Sequence, residues 1–259
     1  MLLALDVGNS EITAGLFQQE KLVARWRLTT QHDRTPDEWG VLFSAHLDHQ
    51  GKAGAAVKAV ALASVVPQIV PDLVAGLATL VDVDPTVIGA ESKLPITLDV
   101  EEPRTVGADR VVNTLAACEL YKRDTIVVDF GTATTFDCIT ADRRFIGGVI
   151  APGVAIAAEQ LIRKTAKLPA TELTPPARAI GRRTEDCVRA GVLFGAADSA
   201  DGMVRRIKAE WPNKTAPLVV ATGGLARLIA PLTQELKQQE PDLTLIGLRL
   251  AARHLGLAW

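Results

Sequence analysis

Two hydrophobic periods alternate along this chain, and the order in which they alternate repeats. Residues 2–7, LLALDV, form an apolar run with Asp6 next to its end; EITAGLF and LVARWRL follow as two further short runs, with the polar turn QQEK between them. Such runs predict three strands. The period then lengthens over TPDEWGVLFSAHLDH (35–49), a helical pattern in which Thr35 and Pro36 suit the N-cap and the first helical position. The same succession returns after residue 124. TIVVDF carries an aspartate, Asp129, next to its end; ATTFDCIT, the turn ADRR and FIGGVIAPG follow, and VAIAAEQLIRKTAKL restores the helical period. Asp6 to Gln19 in the first turn spans 13 residues, and Asp129 to Asp142 in the second also spans 13.

Two copies of strand, D-x-G turn, strand, turn, strand, helix predict an α/β protein of two similar lobes. The helical stretch GADRVVNTLAACELYKR (107–123) connects them, which puts a boundary near residue 115 and gives lobes 1–115 and 116–259. The remainder predicts a helix over 184–209, a strand at 216–224 and a helix over LARLIAPLTQEL. If the lobes face each other, both D-x-G turns enter one cleft.

Composition narrows the class without choosing the chemistry. The chain has 259 residues, 48% of them hydrophobic, and a net charge of −2, which describes a soluble globular protein. Lys and Arg are dispersed, so nucleic acid is not an expected partner. The apolar stretches 57–66 and 147–158 are too short and too interrupted to span a membrane, and Asp6 leaves no room for a secretory signal. Cys118, Cys138 and Cys187 have no C-x-x-C spacing and are expected as buried residues in a reducing, cytoplasmic compartment. His32, His46, His49 and His254 lack the spacing of a zinc site and are expected on the surface.

The repeated turns carry the candidate chemistry. A nucleoside triphosphate needs backbone N–H groups and hydroxyls around its phosphates, Mg²⁺ oriented by carboxylates, and no bulk in the way. Gly8 and Gly131 admit close approach; Asn9, Ser10, Thr132, Thr134 and Thr135 supply donors; Asp6 and Asp129 can orient a hydrated metal ion. ATGGLA (221–226), with Gly223 and Gly224 between a strand and a helix, suits an adenine or ribose against backbone. A single D-x-G is ordinarily a turn, but its repetition at matched spacing is not required by turn formation. Neither G-x-x-x-x-G-K-[ST] nor G-x-G-x-x-G occurs. In VGADR (106–110), Asp109 can take a proton from a substrate hydroxyl and Arg110 can hold an anion; the plainer alternative is a helix start with Asp109 on the dipole. Thr184, in IGRRTEDCVRAG, is a candidate helix cap or substrate contact.

LDVGNS, VGADRVVNTLAA, IVVDFGTATTFD, GGVIAPGV, KLP, the GRRTED…AGVLFG segment and VVATGGLA stand in an order that resembles the type III pantothenate kinases, over essentially the whole chain. That family belongs to the acetate and sugar kinase, Hsp70 and actin superfamily. The resemblance implies two ribonuclease-H-like lobes with a cleft between them, and transfer of the γ-phosphoryl of ATP to the 4′-hydroxyl of pantothenate, the first step of coenzyme A synthesis. It implies Asp109 as general base; Gly107 and Arg110, with Val100 and Thr184, on pantothenate; and Asp6, Asn9, Ser10, Thr132 and Thr134 around the phosphates and Mg²⁺. It further implies Asp129 near a monovalent cation, K⁺ or NH4⁺, and a homodimer whose partner completes the pantothenate pocket. Where many members carry aromatic-x-Asn-Pro, this chain has Val100, Glu101, Glu102 and Pro103. That departure keeps two alternatives open: an ATP-binding accessory protein, or a kinase for a related hydroxylated acid.

Overall fold

The computed structural model describes residues 1–52 and 54–259. The chain divides into two compact units, Met1–Glu119 with Leu243–Trp259, and Leu120–Asp242.

The first unit is built on a five-stranded sheet. Its strands are β1 (Leu2–Val7), β2 (Glu11–Gln18), β3 (Lys21–Thr29), β4 (Ala59–Ser64) and β5 (Thr86–Ile88), in the order β3-β2-β1-β4-β5. β1 pairs antiparallel with β2 and parallel with β4, so the central strand has a hairpin on one side and a crossover strand on the other. Strand alternation sends Leu3, Leu5 and Val7 to one face, where they pack with α1 (Pro36–His49) and α2 (Val70–Ala78) through Trp39, Phe43, Leu47, Leu73 and Leu77. α1 starts as its sequence predicts. The Thr35 hydroxyl accepts the Glu38 N–H while the Glu38 carboxylate accepts the Thr35 N–H at 2.8 Å, a capping box that contributes about 1 kcal/mol.

The opposite face of this sheet carries small residues: Ala4, Gly15, Ala61 and Ala63. α7 (Leu243–His254) lies against β1, β2 and β4, with Leu245 over Gly15. A boundary near residue 115 assigns the end of the chain to the second lobe, whereas here α7 returns to the first unit. The physical reason is fit, because the small residues Ala4, Gly15, Ala61 and Ala63 let a helix backbone come close. α7 also packs on α3 (Ala108–Tyr121), where the Thr244 hydroxyl meets Asn113 Oδ1 at 2.9 Å. α3 is buried without interruption from Val111 to Cys118.

The second unit repeats the plan. β7 (Thr125–Phe130), β8 (Ala133–Ile139), β9 (Arg144–Pro152), β10 (Leu218–Thr222) and β11 (Gln238–Gln239) run β11-β10-β7-β8-β9; a two-residue strand, β6 (Thr97–Leu98), precedes α3 in the chain. β7 is antiparallel to β8 and parallel to β10, as β1 is to β2 and β4. The repeat seen in the sequence is therefore a repeat of topology. Ile126, Val128, Phe130 and Val219 pack with α5 (Thr184–Ala209) and α6 (Ala226–Ile229).

Four local expectations are corrected. The helix over LARLIAPLTQEL is only α6 followed by one 3-10 turn, Ala230–Leu232, because Pro231 removes a donor from the ladder. α4 (Val154–Arg163) stops short of residues 164–168. The N-cap of α5 is Arg183, whose backbone is extended, so Thr184 is already helical and is not the cap. Cys118 and Cys138 are buried, but Cys187 is exposed.

Asp124 ties the second unit together. Its carboxylate accepts the Trp211 indole N–H at 2.8 Å, the Asn213 amide at 2.7 Å and the Ala141 N–H at 2.8 Å. Burial pushes its pKa up, but these bonds and the nearby Arg123 outweigh burial and hold it below the ordinary carboxylate value. A lowered pKa stabilises the fold above the unfolded-state value of about 4, and that stabilisation is lost as pH falls through the folded value. Asp124→Ala should therefore cost about 3 kcal/mol at pH 7 in urea denaturation, with the gap to the parent closing below pH 4. An equal gap at both pH values would refute the assignment.

Candidate functional site

Asp6 is the penultimate residue of β1, opposite Thr13 on β2 and Ala63 on β4. The chain turns at once. The Gly8 N–H donates to the Glu11 carbonyl at 3.0 Å, and Thr30 closes the turn from the end of β3, its N–H on the Ser10 carbonyl at 3.0 Å and its hydroxyl on the Gly8 carbonyl at 2.7 Å. Three carbonyl acceptors, those of Gly8, Ser10 and Glu11, are thus consumed, and Asn9 and Ser10 are exposed at the tip of the turn. A turn that hides acceptors and presents amide and hydroxyl groups suits an anion.

Asp129 is the penultimate residue of β7, opposite Thr135 on β8 and Thr222 on β10, the same station as Asp6. The Gly131 N–H donates to the Ala133 carbonyl at 3.0 Å, and the Leu225 N–H reaches back to the Phe130 carbonyl at 3.2 Å. Gly223 has φ +91°, and a Cβ there would overlap the Asp129 carboxylate and fall 2.7 Å from the Phe130 nitrogen. Gly153, the N-cap of α4, is equally confined, since a Cβ would overlap the Thr132 carbonyl. The positive end of α4 therefore abuts the Thr132 turn, a favourable setting for phosphate. Thr134 is buried, Thr132 half-buried, and Gly131 and Gly224 are exposed. This is a cradle closed by two glycines where any side chain would intrude.

Gly107, Asp109 and Arg110 form the entry to α3. The Asp109 Oδ1 accepts the Arg110 N–H at 2.8 Å, and a Cβ on Gly107 would lie 2.5 Å from the same oxygen and 3.4 Å from Val65 Cγ1. Val65 in turn donates its N–H to the Val7 carbonyl at 3.0 Å. Through Val65, then, the entry of α3 is set beside the strand end that carries Asp6. Burial raises the Asp109 pKa above the ordinary carboxylate value, opposed by the Arg110 N–H and by the Arg110 charge.

A family model described as type III pantothenate kinase matches residues 2–206. The chain belongs to the type III pantothenate kinase family. The type III pantothenate kinase of Thermomicrobium roseum is 44% identical over 251 residues, covering 97% of this chain and 96% of its own. That of Moorella thermoacetica is 43% identical over 250 residues, covering 96% and 98%. Among solved structures, the activator of 2-hydroxyisocaproyl-CoA dehydratase from Clostridium difficile, with bound ADPNP, superposes with TM-score 0.55 at 14% identity, covering 98% of this chain and 93% of that one. The (R)-2-hydroxyglutaryl-CoA dehydratase component A of Acidaminococcus fermentans does so with TM-score 0.54 at 12% identity, covering 98% and 96%. At such identities the two structures share the fold.

Within this pantothenate kinase family member, the stretch that departs from the common pattern lies outside regular helix. Val100 is half-buried, and Glu102 is exposed, its carbonyl accepting the Thr105 hydroxyl at 2.8 Å in the 3-10 turn Pro103–Thr105. Thr184 stands at the first position of α5 and is exposed. Three residues that shape the turns were not singled out by sequence: Thr30, Val65 and Gly153. That Gly153 abuts Thr132 follows from the β8–β9 register, in which Pro152 stands opposite Ala133.

The glycine cradle gives a direct test. Gly223→Ala and Gly153→Ala should each weaken ATP binding at least tenfold by calorimetry, since a left-handed residue and a backbone overlap cost about 1–2 kcal/mol or more. Gly191→Ala, in α5 with open space around its Cβ position, should bind ATP normally and gain about 0.5–1 kcal/mol of stability. Equal behaviour of the three variants would remove the cradle from the argument.

Proposed function

We propose that this chain transfers the γ-phosphoryl group of ATP to the 4′-hydroxyl of pantothenate, the entry step of coenzyme A synthesis. The observation that carries the reading is Asp109: a carboxyl with a raised pKa, set beside the Asp6 strand end, in a chain that matches pantothenate kinases over nearly its full length. On this reading Asn9, Ser10, Thr132 and Thr134 hold phosphate oxygens, Gly8 and Gly131 admit them to backbone, and Gly223 and Gly224 receive the nucleoside. Arg110 pairs with the pantothenate carboxylate, and Gly107, Val100 and Thr184 bound the acceptor. Among the described residues no three His, Cys, Asp or Glu side chains form a cage for a metal ion. Asp6 would therefore orient Mg²⁺ through water, in the manner of an ion that keeps most of its shell on phosphate and solvent. Asp129 would support K⁺ or NH4⁺. When bound, MgATP supplies the phosphoryl group and neutralises its developing charge.

An alcohol does not ionise near neutral pH, so Asp109 accepts its proton late, as the bond to the leaving group lengthens. The base must be ionised before it can act, and burial has raised its pKa. The acid limb of kcat/KM should accordingly lie above the ordinary aspartate value of about 4, with activity rising as pH increases through it. In a coupled ADP-release assay with ATP, Mg²⁺ and pantothenate, Asp109→Asn should lower kcat by about 10²–10⁴ while leaving ATP binding intact. Near-normal turnover in that variant would end the general-base assignment, and K⁺ exchanged for Na⁺ in the parent tests the monovalent site.

A cytoplasmic homodimer belongs to the same proposal. No helix of the described residues is long and apolar enough to cross a membrane. The second unit exposes Ile150 at 67% and Ile180 at 82%, together with Ile156 and Leu161 on α4. Exposed aliphatic residues of this size favour coverage by a partner. Ile156→Glu should shift sedimentation from dimer to monomer; an unchanged sedimentation coefficient would place the dimer contact elsewhere.

A further inference from the structure

Away from the Asp6 turn, the tip of the β2–β3 hairpin and the last residues of the chain border an open pocket of about 380 Å³, lined by Glu20, Arg249, Arg253, Leu257, Ala258 and Trp259 and by Gln19. β2 is eight residues long, so this tip lies roughly 25 Å from the Gly8 turn at its other end. The two arginines stand one helical turn apart on α7 and share one oxygen: Glu20 Oε1 is 3.8 Å from Arg249 Nη1 and 3.4 Å from Arg253 Nη1. Glu20 itself is 74% exposed. Pairs of that length on an exposed carboxylate contribute little and are easily replaced.

Arg249 is the unusual member. It is 9% exposed, its Nε is buried without a hydrogen-bond acceptor, and its guanidinium lies over the Phe17 ring at 5.9 Å. Burial holds its pKa below the usual arginine value, with Glu20 opposing that shift and Arg253 adding to it. A buried cation with an incomplete set of acceptors is costly. Besides Gln19, the rest of the wall is apolar, from Leu257, Ala258 and the Trp259 ring, whose indole N–H holds the tail to the Gln19 carbonyl by a bond of 3.3 Å.

We propose that this cavity is a binding site for a small organic phosphate with an apolar body. Its dianionic head displaces Glu20 and lies between the Arg249 and Arg253 forks, and its body lies against Leu257 and Trp259. Two guanidinium groups match the charge of a phosphate monoester, and their planar donors suit its oxygens. The proposal does not depend on the catalytic reading, because none of these residues belongs to the phosphate turns or to the α3 entry.

The test is calorimetric titration of the full chain with phenyl phosphate, in saturating ADP so that nucleotide-binding groups are occupied. The parent should saturate. Glu20→Gln, which removes the competing carboxylate, should bind several-fold tighter, and Arg253→Gln, at an exposed position, about tenfold weaker. Phenol should not bind. Failure of the parent to saturate below about 10 mM, on the scale of a ~3 kcal/mol interaction, or identical affinities in the three proteins, would overturn the site. Circular dichroism on each variant separates a lost contact from a lost fold.

Discussion

The central strand of each unit has an antiparallel hairpin on one side and a parallel crossover on the other, and the rest of the molecule follows from that pairing. A hairpin must turn at the carboxyl end of the central strand, and a parallel neighbour must leave the sheet at the same end. Loops from both partners therefore converge where Asp6 and Asp129 stand. Ligand sites of α/β sheets collect at the carboxyl ends of strands for this reason. The strand supplies rigidity from a buried apolar stretch, and the carboxylate stands one residue before its end, between core residues that fix it. Thr30 and Gly153 then fix the turns, one by taking up carbonyls and the other by leaving no room for movement against Thr132.

Electrostatics divides labour among three carboxylates that a sequence writes identically. Asp124 is ringed by three donors and is held ionised as a structural tie. Asp109 is half-buried and accepts only backbone N–H groups, that of Arg110 and its own, and desolvation prevails, so its pKa is raised. Asp201 is buried too, with the N–H groups of Gln234 and Glu235 at 2.7 and 2.9 Å, and anchors the loop after α6. The kind of donor, side-chain as well as backbone on Asp124 and backbone alone on Asp109, decides whether hydrogen bonding outweighs desolvation.

The apolar patterns of β1 to β3, of β7 to β9, of α1 with its Thr35 cap, and of α5 over 184–209 are legible because each element's period and ends are written locally. The repeat of D-x-G turns was legible for the same reason, and with it the doubled topology. α6 was overextended because residues 225–236 have helical apolar spacing, while Pro231 and the carboxylate of Asp201, which takes the Gln234 and Glu235 N–H groups, draw the chain away. Cys187 was expected inside; its place on the first turn of α5 exposes it.

By itself the sequence determined the periods, the repeated turns and the residue types at them, since these depend on neighbours within a few positions. Tertiary structure alone decided that α7 returns to the small-residue face of the first sheet, that Gly223 meets Asp129 and Gly153 meets Thr132, and that Val65 sets the α3 entry beside β1. Those contacts join residues far apart in the chain, and close approach between them is governed by shape across a whole face, which no local period encodes.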